Sequence, residues 1–141
     1  MLKIGAAFGA ALAVVFSSGA VLALEGVTVT PLQEKSETAS GKPIVLPKHD
    51  VRVIVSTFDI APGATLPIHK HPFARYGVMQ AGSLKVTNDD TGESKVYGAG
   101  DLIVEMIDQW HRAENVGDGP VKLLVIDQVE GNANNTILKD Q

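Results

Sequence analysis

Beyond Gly26 the helical period nearly vanishes, and short apolar runs rich in Val and Ile alternate with turn-forming clusters. The runs are Val27–Thr30, Ile44–Leu46, Val51–Ile60, Leu66–His69, Tyr76–Gln80, Ser83–Asn88, Ser94–Tyr97, Leu102–Ile107, His111–Val116 and Val121–Gln128. Between them stand Ala61-Pro62-Gly63, Ala81-Gly82, Asp89-Asp90-Thr91-Gly92, Gly98-Ala99-Gly100-Asp101 and Gly117-Asp118-Gly119-Pro120. Short, evenly spaced strands with Gly/Pro/Asp turns predict an all-β sandwich or barrel. Residues 24–50 read as an N-terminal arm with edge strands and residues 51–130 as the barrel. Residues 131–141, with Gly131-Asn132-Ala133-Asn134-Asn135, read as a loosened C-terminal tail.

The first residues follow a different pattern. Met1-Leu2-Lys3 is a short basic start, Ile4–Leu24 is uncharged and rich in Ala, Val and Leu, and Glu25 follows at once. This pattern predicts a secretory signal peptide over residues 1–23, cut after Ala23, and a periplasmic or secreted mature protein. The competing reading is a retained membrane anchor, since about 20 uncharged residues can span a bilayer.

The 141 residues are 45% hydrophobic and 20% charged, enough for one globular domain and too few for two. Twelve Lys and Arg against sixteen Asp and Glu give a net charge of -4, so no cationic excess is available to a phosphate backbone, and nucleic-acid binding is disfavoured. The absence of Cys excludes disulfides, Cys-ligated zinc, iron–sulfur clusters and thiol catalysis together. Phosphate-binding glycine loops, Gly-x-Ser-x-Gly elbows and His-Glu-x-x-His are also missing.

Chemistry concentrates in the histidines. His69 and His71 lie two apart in an extended run, and a strand turns residues i and i+2 to one face. His111 arrives at the start of a later strand, where its ring can complete a three-nitrogen face around one ion. Neutral imidazoles suit Fe, Mn, Ni, Zn or Cu, and three protein ligands leave positions open. Two surface histidines that bind nothing are the plain alternative. His49, in Pro47-Lys48-His49-Asp50, reads as a solvated loop residue.

The stretch from about Val51 to Gln128 resembles the cupin superfamily, specifically its small single-domain bacterial members. The first cupin motif is matched by Gly63, five residues, His69-Lys70-His71, three residues, Arg75 where the family usually has Glu, six residues and Gly82. In the second motif Gly100, His111 and Asn115 fall in register, while Met106 and Asp108 stand where Pro and Gly are usual. Seventeen residues, Ser83–Ala99, separate the motifs. The resemblance implies a double-stranded β-helix, a jelly-roll barrel, with His69, His71 and His111 as ligands of one divalent transition metal. Replacement of the usual Glu leaves either a three-histidine site, which some cupin oxygenases use, or a vestigial one.

Four further residues are candidates for supporting the metal or binding substrate. A guanidinium close to a divalent cation is electrostatically unfavourable, so Arg75 is expected to pair with Asp108, Glu105 or Glu114, to be exposed, or to orient an anionic substrate. Tyr76 either brings its hydroxyl near the metal or packs in the core. Strand alternation groups Glu105 with Ile103 and Ile107, and on an inward face it would replace the lost carboxylate. Trp110, with Phe73, either walls a pocket or closes the barrel end. The expected function is an exported metal-binding cupin, a dioxygenase or other oxidoreductase acting on a small chelating substrate. The alternatives are a non-catalytic small-ligand or metal-binding cupin and a sugar or keto-acid isomerase or lyase. Exposed sheet edges further predict a homodimer, without membrane attachment once the leader is removed.

Overall fold

Strands form where the period-two pattern runs, and a computed structural model, which describes residues 22–139, contains no helix among them. The strands are β1 (Leu22–Leu24), β2 (Val27–Val29), β3 (Val51–Ile60), β4 (Thr65–Lys70), β5 (Arg75–Ala81), β6 (Ser83–Asn88), β7 (Ser94–Gly98), β8 (Leu102–Val104), β9 (His111–Asn115), β10 (Val121–Glu130) and β11 (Ile137–Leu138). β1 and β2 make a small hairpin in a unit that ends at Pro31. The predicted leader lies mostly in residues 1–21, outside the described residues, and the predicted cut after Ala23 falls within β1.

From Leu32 onward the chain builds two antiparallel sheets, one ordered β3-β10-β5-β8 and the other β11-β4-β9-β6-β7. β10 is the spine of the first, paired with β3 over its whole length and with β5 on its other side. Its burial alternates strictly, with Val121, Leu123, Val125, Asp127 and Val129 turned inward. Val121, Leu123 and Val125 meet Met79 of β5, Leu84 and Val86 of β6, Tyr97 of β7, Ile103 of β8 and Ala113 of β9 in one continuous core. Each fully buried Val, Leu or Met contributes roughly 1.5–3 kcal/mol. This core must supply the fold's stability, since no disulfide exists.

Three expectations are corrected. Ile44–Leu46 forms no strand: Pro43 makes only an isolated bridge to Glu37, and prolines on both sides of the run deprive a ladder of donors. The strand expected over Leu102–Ile107 ends at Val104, because Ile107 instead bridges His71 in parallel and Asp108 turns with a φ of 54°. The C-terminal segment is not loose. Asn135 is buried, and β11 pairs with Lys70 and His69 of β4, so the segment seals the edge that carries the first histidine motif.

Gly82 joins β5 to β6 with a φ of 85°, and a Cβ there would lie 2.8 Å from both the Pro120 carbonyl oxygen and Val121 Cα. Backbone strain and a clash with main-chain atoms therefore act together. Gly82→Ala is expected to destabilise the protein by roughly 2 kcal/mol or more, read as a lowered midpoint in urea unfolding with an unchanged slope.

Candidate metal centre

Strand pairing brings the histidines together. β4 and β9 run antiparallel with His69 directly opposite His111, so both side chains leave the same face. The ladder is irregular between Leu66 and His69, where Pro67 has no N–H to give, and this break sets the position of His69. His71, two residues on, is anchored by its parallel bridge to Ile107. The three ring centroids are 4.4–4.9 Å apart, and a candidate ligand nitrogen from each ring lies within 4.8 Å of the others.

Backbone carbonyls orient all three rings. Nδ1 of His69 donates to the Pro67 carbonyl at 2.7 Å, Nδ1 of His71 to Asn135 at 2.5 Å, and Nδ1 of His111 to Gln109 at 2.9 Å. A proton held on Nδ1 leaves the ring's lone pair on Nε2, the atom that can coordinate. Nε2 of His111 is buried with no hydrogen-bond partner. A buried nitrogen acceptor without a donor is costly, and a cation relieves that cost. The donor set therefore fits a divalent transition metal.

Burial also keeps the rings neutral. Desolvation is the leading cause that lowers the pKa of each histidine, and the Arg75 charge adds to it; for His71 the value is pushed down to about 2. Glu105 moves the other way, its carboxyl raised by burial in spite of the opposing Arg75 charge. Its Oε2 lies 3.4 Å from Nε2 of His111. The His69 and His111 imidazoles, Glu105 and Arg75 line a cavity of about 20 Å³ walled by Phe58, Leu66, Leu84 and Val125. That is room for an ion and very few further atoms. A larger cavity of about 340 Å³ lies between Ala39-Ser40 of the N-terminal arm and β6–β7, and none of the histidines lines it.

Arg75 pairs with none of the three acids expected. Asp108 is bound to Lys70, Glu114 to Lys85, and Glu105 faces His111. Arg75 instead forks onto Asp127, with Nε to Oδ1 at 2.7 Å and Nη2 to Oδ2 at 3.0 Å, while Nη1 approaches Nε2 of His71 at 3.4 Å. Asp127 also accepts from Asn135 Nδ2 at 2.6 Å, and Arg75 Nη2 reaches Thr136 Oγ1. The inward charge at position 127 of an otherwise apolar β10 face is a sequence signal for this role; nothing in the sequence marks Asn135. Tyr76 is not near the metal position: it alternates to the outer face and donates to Gln128 at 3.1 Å. Trp110 does not wall the cavity either, lying instead under Lys70 and Lys139 at 5.2 and 5.8 Å from its ring centroid. His49 is exposed, as expected of a solvated loop.

The cupin domain profile, Cupin_2, matches residues 56–127, which contain all three histidines and both motifs. The chain belongs to the cupin family. Its barrel is similar to an oxalate oxidase solved in complex with the substrate analogue glycolate, at 28% identity and a TM-score of 0.52 over 62% of this chain. The cupin spans 46% of that oxidase's length. It is also similar to the polyketide cyclase RemF from Streptomyces resistomycificus, at 21% identity and a TM-score of 0.52 over 63% of each chain. A conserved double-stranded β-helix protein from Klebsiella pneumoniae matches at 22% identity and a TM-score of 0.51, over 85% of this chain and 98% of its own. The last two likenesses establish the fold alone. Comparison with curated proteins gives no match. No helix among the described residues is long and apolar enough to cross a membrane.

Ion binding to the folded state at a hundredfold excess over Kd adds about 2.7 kcal/mol. For a domain of this size that is a rise in melting temperature of about 10 °C. His71→Ala and His111→Ala are expected to abolish the rise and His49→Ala to keep it. All three folded histidine pKa values lie below 6.5. As pH falls through 6.5 the unfolded chain therefore takes up protons first, and the metal-free fold loses stability. The metal-induced rise should still be present at pH 6 and fade only in more acidic buffer; differential scanning calorimetry across pH checks both signs.

Proposed function

We propose that this cupin is a metal-dependent oxidoreductase that takes a small chelating carboxylate and oxidises it with dioxygen. The observation that carries the reading is the convergence of three neutral, backbone-oriented imidazoles beside the Arg75 guanidinium, with His69, His111 and Arg75 lining a cavity of about 20 Å³. A divalent transition ion held there supplies electrophilic polarisation of substrate oxygens and a route for electrons. Arg75, held by Asp127, presents Nη1 next to His71 and is placed to position the second carboxylate or hydroxyl oxygen of a bound anion. Phe58, Leu66, Leu84 and Val125 exclude bulk water and lower the local dielectric. The likeness to an oxalate oxidase with bound glycolate supports a two-carbon acid as the substrate class.

The small cavity favours a second reading, a non-catalytic cupin that holds a metal alone. The two readings separate in one experiment. Metal-loaded protein is mixed with oxalate or glycolate while oxygen uptake and ligand affinity are followed. Uptake that depends on both metal and acid, and is lost in His111→Ala, supports the oxidoreductase. An ion that binds without either acid binding afterwards leaves the non-catalytic reading and removes the proposed one.

Two further proposals concern setting and assembly. Export rests on the basic start and the uncharged Ile4–Leu24 stretch. Homodimerisation is supported by the edge position of β3 among the described residues and by exposed Val53 and Val55 on that strand, at 60% and 61%. Light scattering at micromolar concentration should give twice the chain mass, and a monomer would remove this assignment.

A further inference from the structure

Arg75 occupies the motif position from which the cupin carboxylate ordinarily comes, yet a carboxylate still enters the site from the neighbouring strand. In the β5–β8 ladder Tyr76 lies opposite Val104, and the Glu105 N–H donates to the Arg75 carbonyl at 2.9 Å, which sets Glu105 across from Arg75. Residues directly opposite in an antiparallel pair share a face and hold their Cβ atoms about 5 Å apart. The two side chains thus look into the same cavity, one strand width apart.

We propose that Glu105 supplies the carboxylate ligand to the three-histidine ion, the acidic position having moved from β5 to the facing residue after β8. The inference rests on the metal-binding reading of the histidines. Oε2 of Glu105 stands 3.4 Å from Nε2 of His111, and that nitrogen has no hydrogen-bond partner. With Nδ1 already protonated toward Gln109, Nε2 presents a lone pair to a carboxylate oxygen, an arrangement that repels unless a cation or a proton lies between them. Arg75 does not fill that place, since it gives Nε and Nη2 to Asp127 and turns Nη1 toward His71. Glu105 is itself only 8% exposed, so solvent does little to stabilise its charge. Glu105 stands beside His111 and Arg75 beside His71, so an ion held by the three imidazoles would meet the carboxylate and the guanidinium from different sides. The guanidinium side is the one from which an anionic ligand can enter, with the carboxylate offsetting one unit of the metal charge.

The test strips the full-length protein of metal and titrates it with Co²⁺, following visible absorption and calorimetry in the wild type, Glu105→Gln and Glu105→Leu. Glu105→Gln is expected to bind at least about tenfold more weakly, with altered ligand-field bands, because removing a group that orients or completes a metal site costs affinity on that scale. Metal-free Glu105→Leu is expected to melt no lower than the metal-free wild type, since it loses an unpartnered buried carboxylate. Wild-type affinity and an unchanged Co²⁺ spectrum in Glu105→Gln would overturn the proposal while leaving the three-histidine site standing. If metal-free Glu105→Leu also melts lower, the pair is bridged by a proton instead. Absence of Co²⁺ binding by the wild type would overturn the metal-binding reading itself, and the role of Glu105 with it.

Discussion

The direct pairing of His69 with His111 across β4 and β9 is the constraint on which the site depends. It puts two imidazoles on one face without help from any loop, and the two-residue period brings His71 to the same face. What remains is to aim the rings, and three backbone carbonyls do so by accepting the Nδ1 protons. Carbonyls fixed in strand ends and turns cannot rotate away as side-chain acceptors can. The price is burial of three basic groups that must stay neutral, and desolvation enforces this by lowering their pKa values.

A second constraint is charge. Arg75 enters a site built for a cation, and the fold tolerates it because Asp127 takes the guanidinium in a two-point contact between nearly buried side chains. That contact extends through Asn135 and Thr136 to the C-terminal segment, while the Asn135 carbonyl holds His71 and its Oδ1 accepts from the Phe73 N–H. The segment after β10 is thus part of the metal centre's support. Restoring a carboxylate at position 75 would set it against Asp127 and release this support, so the family's usual ligand cannot simply be reinstated here.

The sequence made the all-β pattern, both motifs and the three histidines legible because each depends on spacing along one strand or on short turns. Ser83–Asn88 forms a strand with the expected bounds, since alternation and flanking turns agree there. Legibility failed where partners come from afar. Asp127 is 52 residues from Arg75, so it could not be chosen over Asp108, Glu105 or Glu114 by proximity in sequence. The Asn-rich tail lacks an apolar period, yet it is ordered by polar contacts with His71, Phe73 and Asp127 rather than by a hydrophobic face. Tyr76 and Trp110 adjoin motif residues in the sequence, yet strand alternation sends Tyr76 outward and the lysines hold Trp110 outside the cavity.

Three buried imidazoles are placed to hold one transition metal. Elemental analysis of untagged protein, purified without chelator and compared with His71→Ala prepared alongside, tests it most directly. One equivalent of a divalent transition metal per chain is expected in the wild type and a trace in the variant. Equal metal content in the two proteins, or none in either after incubation with Fe²⁺, Mn²⁺, Ni²⁺, Zn²⁺ and Cu²⁺ in turn, would contradict it.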